Sequence, residues 1–169
     1  MAVLKVIRER KSIRKYKDTP VEQEKLMNVL EAARLAPSAR NLQDWKFIAV
    51  TDPEKRPALQ EACGGQRQVA QAPVTLVVCA NNDSNMSCGQ SKTSVDCSIA
   101  MSFMLLQAEE EGLGMCWLGH FYEDKIKELL NIPEDYIVVA VSPLGYADED
   151  PAPKPRKAAE EVICFNEFR

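Results

Sequence analysis

One helical segment constrains the fold of this 169-residue chain more than any other stretch. Residues 96–111, DCSIAMSFMLLQAEEE, place apolar side chains on almost every side of a helix, and Gly112 follows as a stop signal. We expect such a helix in the middle of a fold and not on its surface. A chain of this length buries roughly two-thirds of its unfolded surface, so one core suffices to enclose the helix. We therefore predict one domain over residues 1–169.

Strands and shorter helices alternate on both sides of this segment. The apolar run APVTLVVCA, residues 72–80, is typical of a central strand buried on both faces. Further strands are predicted at 46–51, at the MCWLG motif and at 136–146, and short helices at 2–10, from Asp52 through Ala62, and at 123–130. The polar stretch 81–94 is predicted to be a loop without regular structure. The alternation predicts an α+β fold built as a layered sandwich.

A helix start signal precedes another helix near the N-terminus. In DTPVEQEKLMNVLEAARLAPS, we expect Thr19 as the N-cap, Pro20 as the first helical residue and Glu22 as the closing residue of a capping box. Apolar residues then recur at helical spacing until Pro37 and Ser38 end the helix.

Six cysteines and one histidine limit the chemistry that the side chains can supply. Four cysteines lie in strongly apolar stretches, which favours buried reduced thiols over a disulfide framework. No C-x-x-C pair occurs and His120 is the single histidine, which argues against a metal site and against Cys-His or Ser-His-Asp catalysis within one chain. The chemistry therefore calls for an imported cofactor or a partner chain. Without a membrane-length apolar run or a signal-peptide core, we expect a cytoplasmic protein that binds no membrane.

A strongly basic segment, residues 8–17 with the sequence RERKSIRKYK, stands out in a chain whose net charge is -4. Arg10, Ser12 and Arg14 alternate, so an extended backbone would place all three on one side. Two guanidinium groups and a hydroxyl that converge in this way suit a phosphate. The same charges could instead form a solvated face at a helix end.

The C-terminal arm, residues 148–169, begins with closely spaced prolines in DEDPAPKPRKAAEEVICFNEFR. Prolines prevent a compact element here, and they restrict a second basic pair, Lys154 and Arg156. The arm is either a disordered tail or a segment that crosses a surface and adds VICF as an edge strand to another sheet. Its apolar end favours the second interpretation.

Two loops carry groups that often contact ligands. The stretch APSARNLQDWKF places Ser38 and Asn41 between a helix and a strand. The stretch GLGMCWLGHF places Gly119 just after a short strand, where a flat ligand could lie against backbone N–H groups. Neither a G-x-G-x-x-G nor a Walker sequence occurs, so a Rossmann or P-loop nucleotide site is not supported.

Six segments, taken in order, resemble the nitroreductase family of FMN-dependent oxidoreductases. They are RKSIRKY, APSARNLQDWKFIAV, QVAQAPVTLVVCA, DCSIAMSFMLLQAEEEGLGMCWLG, LGYADEDPAPKPRK and EEVICFN, and they span nearly the whole chain. The resemblance implies a homodimer whose fold is a three-layer sandwich, with a mixed central sheet flanked by helices. It also implies one FMN in each of two clefts at the subunit interface, and a VICF segment exchanged onto the partner's sheet.

The resemblance further implies which residues contact FMN. They are Arg10, Lys11, Ser12, Arg14, Pro37, Ser38, Asn41, Gln68, Gly119, His120, Lys154 and Arg156. Arg10, Lys11 and Ser12 match residues that contact the phosphate and the ribityl chain, and Lys154 and Arg156 match the pair that completes the phosphate site. Arg14 matches a residue at the N1 and O2 edge of the flavin, where positive charge stabilises the reduced ring. Pro37, Ser38 and Asn41 match contacts from the other subunit. Gln68 lies near a position that often reaches the pyrimidine edge, and Gly119 and His120 match a turn whose N–H groups face N5 and O4.

Three positions depart from the family pattern. Asp44 follows Gln43 where the family commonly has proline, Ala39 replaces a second serine, and His120 replaces a small residue. The His120 side chain could shape the substrate face, or its imidazole could donate a proton during reduction. No other catalytic side chain is predicted, because flavin N5 carries the chemistry.

The predicted activity is hydride transfer from NADH or NADPH through flavin N5 to an electron-poor small molecule such as a nitroaromatic or a quinone. The alternatives are a relative with another flavin reaction (dehydrogenation, dehalogenation or flavin fragmentation) and a non-catalytic FMN-binding protein. A nucleic-acid-binding module that uses the basic run from Lys5 to Lys17 is disfavoured by the acidic balance of the rest of the chain and by the lack of a stretch in which basic and aromatic residues alternate.

Overall fold

The computed structural model places four strands, seven α-helices and two short 3-10 helices in residues 3–81 and 84–168, the parts of the chain that it describes. The strands are β1 (Trp45–Val50), β2 (Val74–Ala80), β3 (Gly114–Met115) and β4 (Ile137–Gly145). The helices are α1 (Lys5–Glu9), α2 (Gln23–Arg34), α3 (Arg56–Ala62), α4 (Arg67–Gln71), α5 (Lys92–Glu110), α6 (Glu123–Leu130) and α7 (Ala159–Val162). No helix in these residues combines the length and hydropathy needed to cross a membrane.

Strand β2 is central in the sheet. The strand order is β1-β2-β4-β3, so β2 pairs with β1 on one side and with β4 on the other, and every residue of β2 is buried. The continuous apolar run thus reflects burial on both faces, as predicted. All three ladders are antiparallel, and the parallel component of the sheet is one bridge between Ser12 and Met115. The predicted α+β fold is confirmed.

Helices cover both faces of the sheet, which gives three layers. Leu76 and Val78 of β2 face a core that includes residues of α2 and α5. Val77 and Cys79 face a second core with residues of α3, α4 and α6. This alternation follows from the two-residue period of a strand. The layered sandwich predicted from the sequence is therefore confirmed.

Helix α5 is enclosed on fewer sides than its apolar sequence suggests. Met101 and Met104 are fully buried in the core that α5 shares with the sheet, whereas Phe103 keeps 39% of its surface exposed. Ser102 beside it is also exposed. The prediction of a helix in the middle of the fold is therefore correct for one side of α5, while a single chain leaves the other side in contact with solvent.

The predicted start of α2 is wrong. Thr19, the expected N-cap, lies outside the helix, which begins at Gln23. The Glu22 side chain does not cap the helix; its carboxylate instead accepts a hydrogen bond from the Tyr146 hydroxyl at 2.6 Å. Lys25 Nζ donates to the same hydroxyl at 3.0 Å. A contact with a distant part of the chain thus replaces the local capping box.

The stretch 81–94 also differs from the prediction. In the stretch expected to be an irregular loop, Asn85 and Ser91 form an antiparallel bridge, and α5 already begins at Lys92. Residues 82 and 83 of that stretch lie outside the described residues. In the C-terminal arm, α7 ends at Val162, and VICF is not part of the four-stranded sheet of its own chain. Its addition to a partner's sheet concerns a second chain and stays a prediction.

Four thiols are buried, as predicted: Cys63, Cys79, Cys97 and Cys116. Burial raises the pKa of Cys63 to about 11 and that of Cys97 to about 12. Thiols with such pKa values stay protonated near neutral pH and are poor nucleophiles. Cys88, by contrast, is exposed.

Gly114 admits the side chain of Ile13 to the edge of the sheet, and this packing can be tested. A Cβ at position 114 would lie 2.5 Å from Ile13 Cγ1 and 2.7 Å from Ile13 Cβ. We expect Gly114→Ala to lower the free energy of unfolding by about 1–3 kcal/mol, because the buried Ile13 must shift. Urea unfolding followed by circular dichroism gives the value.

Gly119→Ala is the matched control, since no atom lies within 4 Å of a Cβ at that position. Equal losses of stability in the two variants would contradict this account of Gly114.

Candidate functional site

An open cleft of about 970 Å³ lies where the basic segment passes the start of the C-terminal arm, next to β3. The end of α1, the turn between α5 and β3, Ala147 and residues 149–154 form most of its walls. Six residues predicted to contact the cofactor line it together: Arg10, Lys11, Ser12, Arg14, Lys154 and Arg156. The fold thus joins basic groups from opposite ends of the sequence.

The backbone of the basic segment is fixed to the sheet edge at Ile13. Its N–H donates to the Met115 carbonyl at 3.0 Å, and its carbonyl accepts from the Tyr16 hydroxyl at 2.6 Å. Burial raises the pKa of Tyr16 far above its usual value, so this hydroxyl keeps its proton and remains a donor. Because Ile13 is buried, the two-residue period turns its neighbours Ser12 and Arg14 the other way, along the cleft.

Carboxylates of the C-terminal arm line the same cleft. Asp150 Oδ1 lies 2.5 Å from Lys11 Nζ, and Glu149 Oε1 accepts from the backbone N–H of Arg14 at 2.5 Å. The Arg14 guanidinium donates to the Ser12 carbonyl at 3.4 Å. Sequence reasoning missed both acids, although the DED motif directly before the prolines was a visible signal. They offset part of the positive charge, so an anion must compete with them.

Cys116 lies close to the cleft but supplies no nucleophile. Burial raises the pKa of its thiol, and the nearby positive charges of Arg14 and Arg10 offset only part of this effect. Its backbone N–H donates to Ser142 Oγ at 3.2 Å, which fixes the chain as it leaves β3. A buried, protonated thiol is chemically inert.

Gln68, Gly119 and His120 form a second group, outside the cleft, that Gln66 holds together. Gln66 Nε2 donates to the His120 carbonyl at 2.9 Å, and Gln68 Nε2 donates to Gln66 Oε1 at 3.0 Å. Gly119 follows Met115 by four residues, a span of at most about 14 Å. An elongated ligand can therefore contact both the cleft and this turn. No sequence pattern indicated that Gln66 contacts His120, because the two residues are 54 positions apart in the chain.

The His120 ring packs against residue 64 and beside Tyr122. A Cβ on Gly64 would lie 2.4 Å from His120 Cδ2, so the ring fits only because residue 64 is glycine. The rings of His120 and Tyr122 meet edge to face, with centroids 5.5 Å apart. These contacts favour the shape-filling role of His120 over a role as proton donor.

Pro37, Ser38 and Asn41 belong to a strained loop that does not line the cleft. Arg40, Asn41 and Gln43 all have a φ of 55°, in the left-handed region, where each non-glycine residue costs roughly 1 kcal/mol or more. Ser38 Oγ accepts from the Gln43 N–H at 3.2 Å and closes the turn. Strain of this kind clusters at functional sites. Within one chain, this loop and the cleft do not form a single site.

The cleft suits a phosphorylated, elongated cofactor. Arginine forks, lysine ammonium groups and the Ser12 hydroxyl are the donors that bind phosphate oxygens. Its volume lies near the upper end of the range for small-molecule pockets, about 300–1,000 Å³. The residues present therefore fit FMN in both charge and size.

Comparison with known proteins extends these observations. The description "Nitroreductase family" belongs to the sequence model that matches residues 7–73 and 63–146. A protein of Methanothermobacter thermautotrophicus, named for NADH dehydrogenase and NAD(P)H nitroreductase activity, is 39% identical over 155 residues, which cover 89% of this chain and 80% of that protein.

Solved structures agree with this match. An FMN-dependent nitroreductase from Clostridium difficile R20291 is 35% identical, with a TM-score of 0.84 over 98% of this chain and all of that chain (100%). The NADPH:FMN oxidoreductase from Vibrio harveyi, solved in complex with NAD+, is 30% identical, with a TM-score of 0.89 over 98% of this chain and 77% of that chain.

Removing the carboxylate of Asp150 should strengthen anion binding in the cleft. In Asp150→Asn, Lys11 loses the ion pair that an anion must displace, and we expect about two- to fivefold tighter binding, because exposed ion pairs are worth at most about 1 kcal/mol. Isothermal titration with inorganic phosphate measures the change.

Asp148→Asn is the control for Asp150→Asn. Asp148 pairs with Lys15 at 3.5 Å, and neither residue lines the cleft. Equal gains in the two variants would show that net charge alone, and not the Lys11 pair, controls binding.

Proposed function

Because this chain belongs to the nitroreductase family, we propose that it is an FMN-dependent oxidoreductase that takes hydride from NADH or NADPH and reduces an electron-poor acceptor such as a nitroaromatic or a quinone. We propose one FMN-binding domain over residues 1–169, active as a homodimer. The four buried thiols suit a reducing compartment, which supports a cytoplasmic location.

One observation carries the proposal. Six cationic side chains and the Ser12 hydroxyl, from both ends of the sequence, line one cleft next to a sheet edge; the cations are Arg8, Arg10, Lys11, Arg14, Lys154 and Arg156. A basic segment that only faced solvent would not need the cations of the C-terminal arm beside it. The arrangement therefore indicates more than a solvated surface. A phosphate together with a ring edge that becomes negatively charged explains why several cations line the cleft.

The residues of the chain have distinct tasks in this proposal. Arg10, Lys11 and Ser12 hold the phosphate and the ribityl chain, and Lys154 and Arg156 complete the phosphate site. Bound FMN supplies a ring N5 that accepts and donates hydride.

Two parts of the chain orient and stabilise the flavin ring. The Arg14 guanidinium would contact the N1 and O2 edge and would stabilise negative charge there. Backbone N–H groups of the turn at Gly119 and His120 orient the N5 and O4 edge, and Gln68 supports the pyrimidine edge. No side-chain acid, base or nucleophile is needed.

A second copy of the chain completes each site. The loop with Pro37, Ser38 and Asn41 lies outside its own cleft, which supports contacts with the partner's FMN. The C-terminal arm leaves apolar side chains in solvent, among them Ile163 at 53% and Phe165 at 79% exposure. A single soluble chain rarely exposes such groups together, so exchange of the arm with the partner accounts for them.

A visible spectrum of the purified protein, followed by anaerobic addition of NADH or NADPH, tests the function. We expect a yellow protein that is bleached by at least one of the two and reoxidised by a nitroaromatic or a quinone. A colourless protein that does not bind added FMN would contradict the proposal. Slow reduction by both nucleotides would favour a relative with another flavin reaction, and bound FMN without any turnover would favour a non-catalytic flavoprotein.

Arg14→Ala should impair FMN binding or flavin reduction by about tenfold or more, because it removes a charged donor from the cofactor edge. Lys17→Ala is the matched control, since Lys17 is exposed and does not line the cleft. Fluorescence titration with FMN and stopped-flow reduction give the two values. Equal, mild effects in both variants would indicate that the basic segment is a solvated surface with no specific role in FMN binding.

The arm exchange predicts a paired effect in VICF. Residues 163 and 165 share one side of an extended strand, so Ile163→Ser/Phe165→Ser should weaken the dimer, as measured by analytical ultracentrifugation. Val162→Ser/Cys164→Ser alters the other side and should weaken it less. A stable dimer with both double variants would contradict the exchange.

A further inference from the structure

We propose that Asp96 and the ion pair of Asp44 with Lys92 are two anchors that hold the strained loop, residues 37–43, in the conformation that contacts the partner subunit's cofactor. They are positioning residues, because they act through the loop. The inference rests on the proposed function, since the loop has this role only if it reaches FMN.

Asp96 is the first anchor. It lies on α5 with only 6% of its surface exposed. Its two carboxylate oxygens accept from the Ala39 N–H at 3.0 and 3.1 Å. A hydrogen bond to a buried carboxylate is charge-assisted and stronger than one between neutral groups. The N–H of the residue that follows Ser38 is therefore tied to the rigid helix.

Lys92 provides the second anchor, one helical turn before Asp96 on the same helix. It is 5% exposed, and its ammonium group pairs with Asp44. A buried cation is stable only with a counter-charge, so this pair fixes the far end of the loop. Asp44 stands where the resemblance leads one to expect proline, whose ring would restrict the backbone instead. Asp44, which departs from the family pattern, is thus paired with Lys92 in this chain.

The two anchors flank the strain. Arg40, Asn41 and Gln43, each with a φ of 55°, lie between Ala39 and Asp44. Without anchors, these residues would relax to ordinary backbone conformations, and the loop would have to be reordered whenever it met the cofactor. A loop already held in its bound conformation avoids that cost, which strengthens binding.

Two measurements on the full-length protein test the inference. Hydrogen exchange of the backbone amides of residues 39–43 reports on the loop, and fluorescence titration gives the Kd for FMN. In Asp96→Ala, we expect these amides to exchange at least about tenfold faster and the Kd to rise by about tenfold. Asp96→Asn keeps one acceptor oxygen, so its loop amides should exchange more slowly, and its Kd for FMN should be lower, than those of Asp96→Ala. This variant replaces Asp96→Ala in the test if the alanine variant does not fold. Asp44→Asn should also speed the exchange.

Ile126→Ala is the control for general loss of stability. Ile126 is fully buried in the core on the opposite face of the sheet. Its variant should speed exchange across the protein without a selective effect on the loop.

The outcomes separate this inference from the proposed function. Wild-type protein that binds no FMN overturns the proposed function. Wild-type protein that binds FMN, together with Asp96→Ala protein of equal affinity, overturns only the positioning role. Unchanged exchange of the loop amides in both Asp96 variants overturns the anchors themselves.

Discussion

The burial of β2 between two strands and two helical layers is the constraint on which the rest of the structure depends. All its side chains are buried, and its backbone groups find their partners in the ladders with β1 and β4. This pairing leaves the two-residue β3 at one edge of the sheet. So short an edge strand leaves room for Ile13 to pair with Met115, while the end of β4 delivers the C-terminal arm to the same place. The cleft therefore follows from where the sheet ends.

The charges of the basic segment divide according to this geometry. Arg10, Lys11 and Arg14 line the cleft, whereas Lys15 faces Asp148 outside it. Acidic side chains of the arm lie beside the cations of the cleft and reduce the repulsion between these cations in the folded chain. Exposed ion pairs are worth little, so a multiply charged phosphate can displace them. A locally basic segment and an acidic chain are thus compatible with one anion site.

The strained loop shows how secondary structure can support an irregular conformation. Three non-glycine residues with positive φ would not persist in a free peptide. Here the loop leads into β1, and charged groups of α5 contact it at both ends. Helix α5 also carries the main apolar core on its inner side, which makes it a rigid support. The same helix therefore stabilises the fold and fixes the loop.

The sequence by itself determined the order of the four strands and of the helices other than α4 and α7, the two-sided burial of β2, most cationic residues of the cleft and the family. These features depend on local periodicity, composition and short motifs, which act over a few residues. Only the tertiary structure decided the start of α2, the pairing of Lys11 with Asp150, the position of the His120 ring over Gly64 and the anchoring of the loop by Asp96. Each of these depends on contacts between residues far apart in the chain. Local patterns carry no information about such contacts, because packing of the sheet and its helices alone brings the partners together.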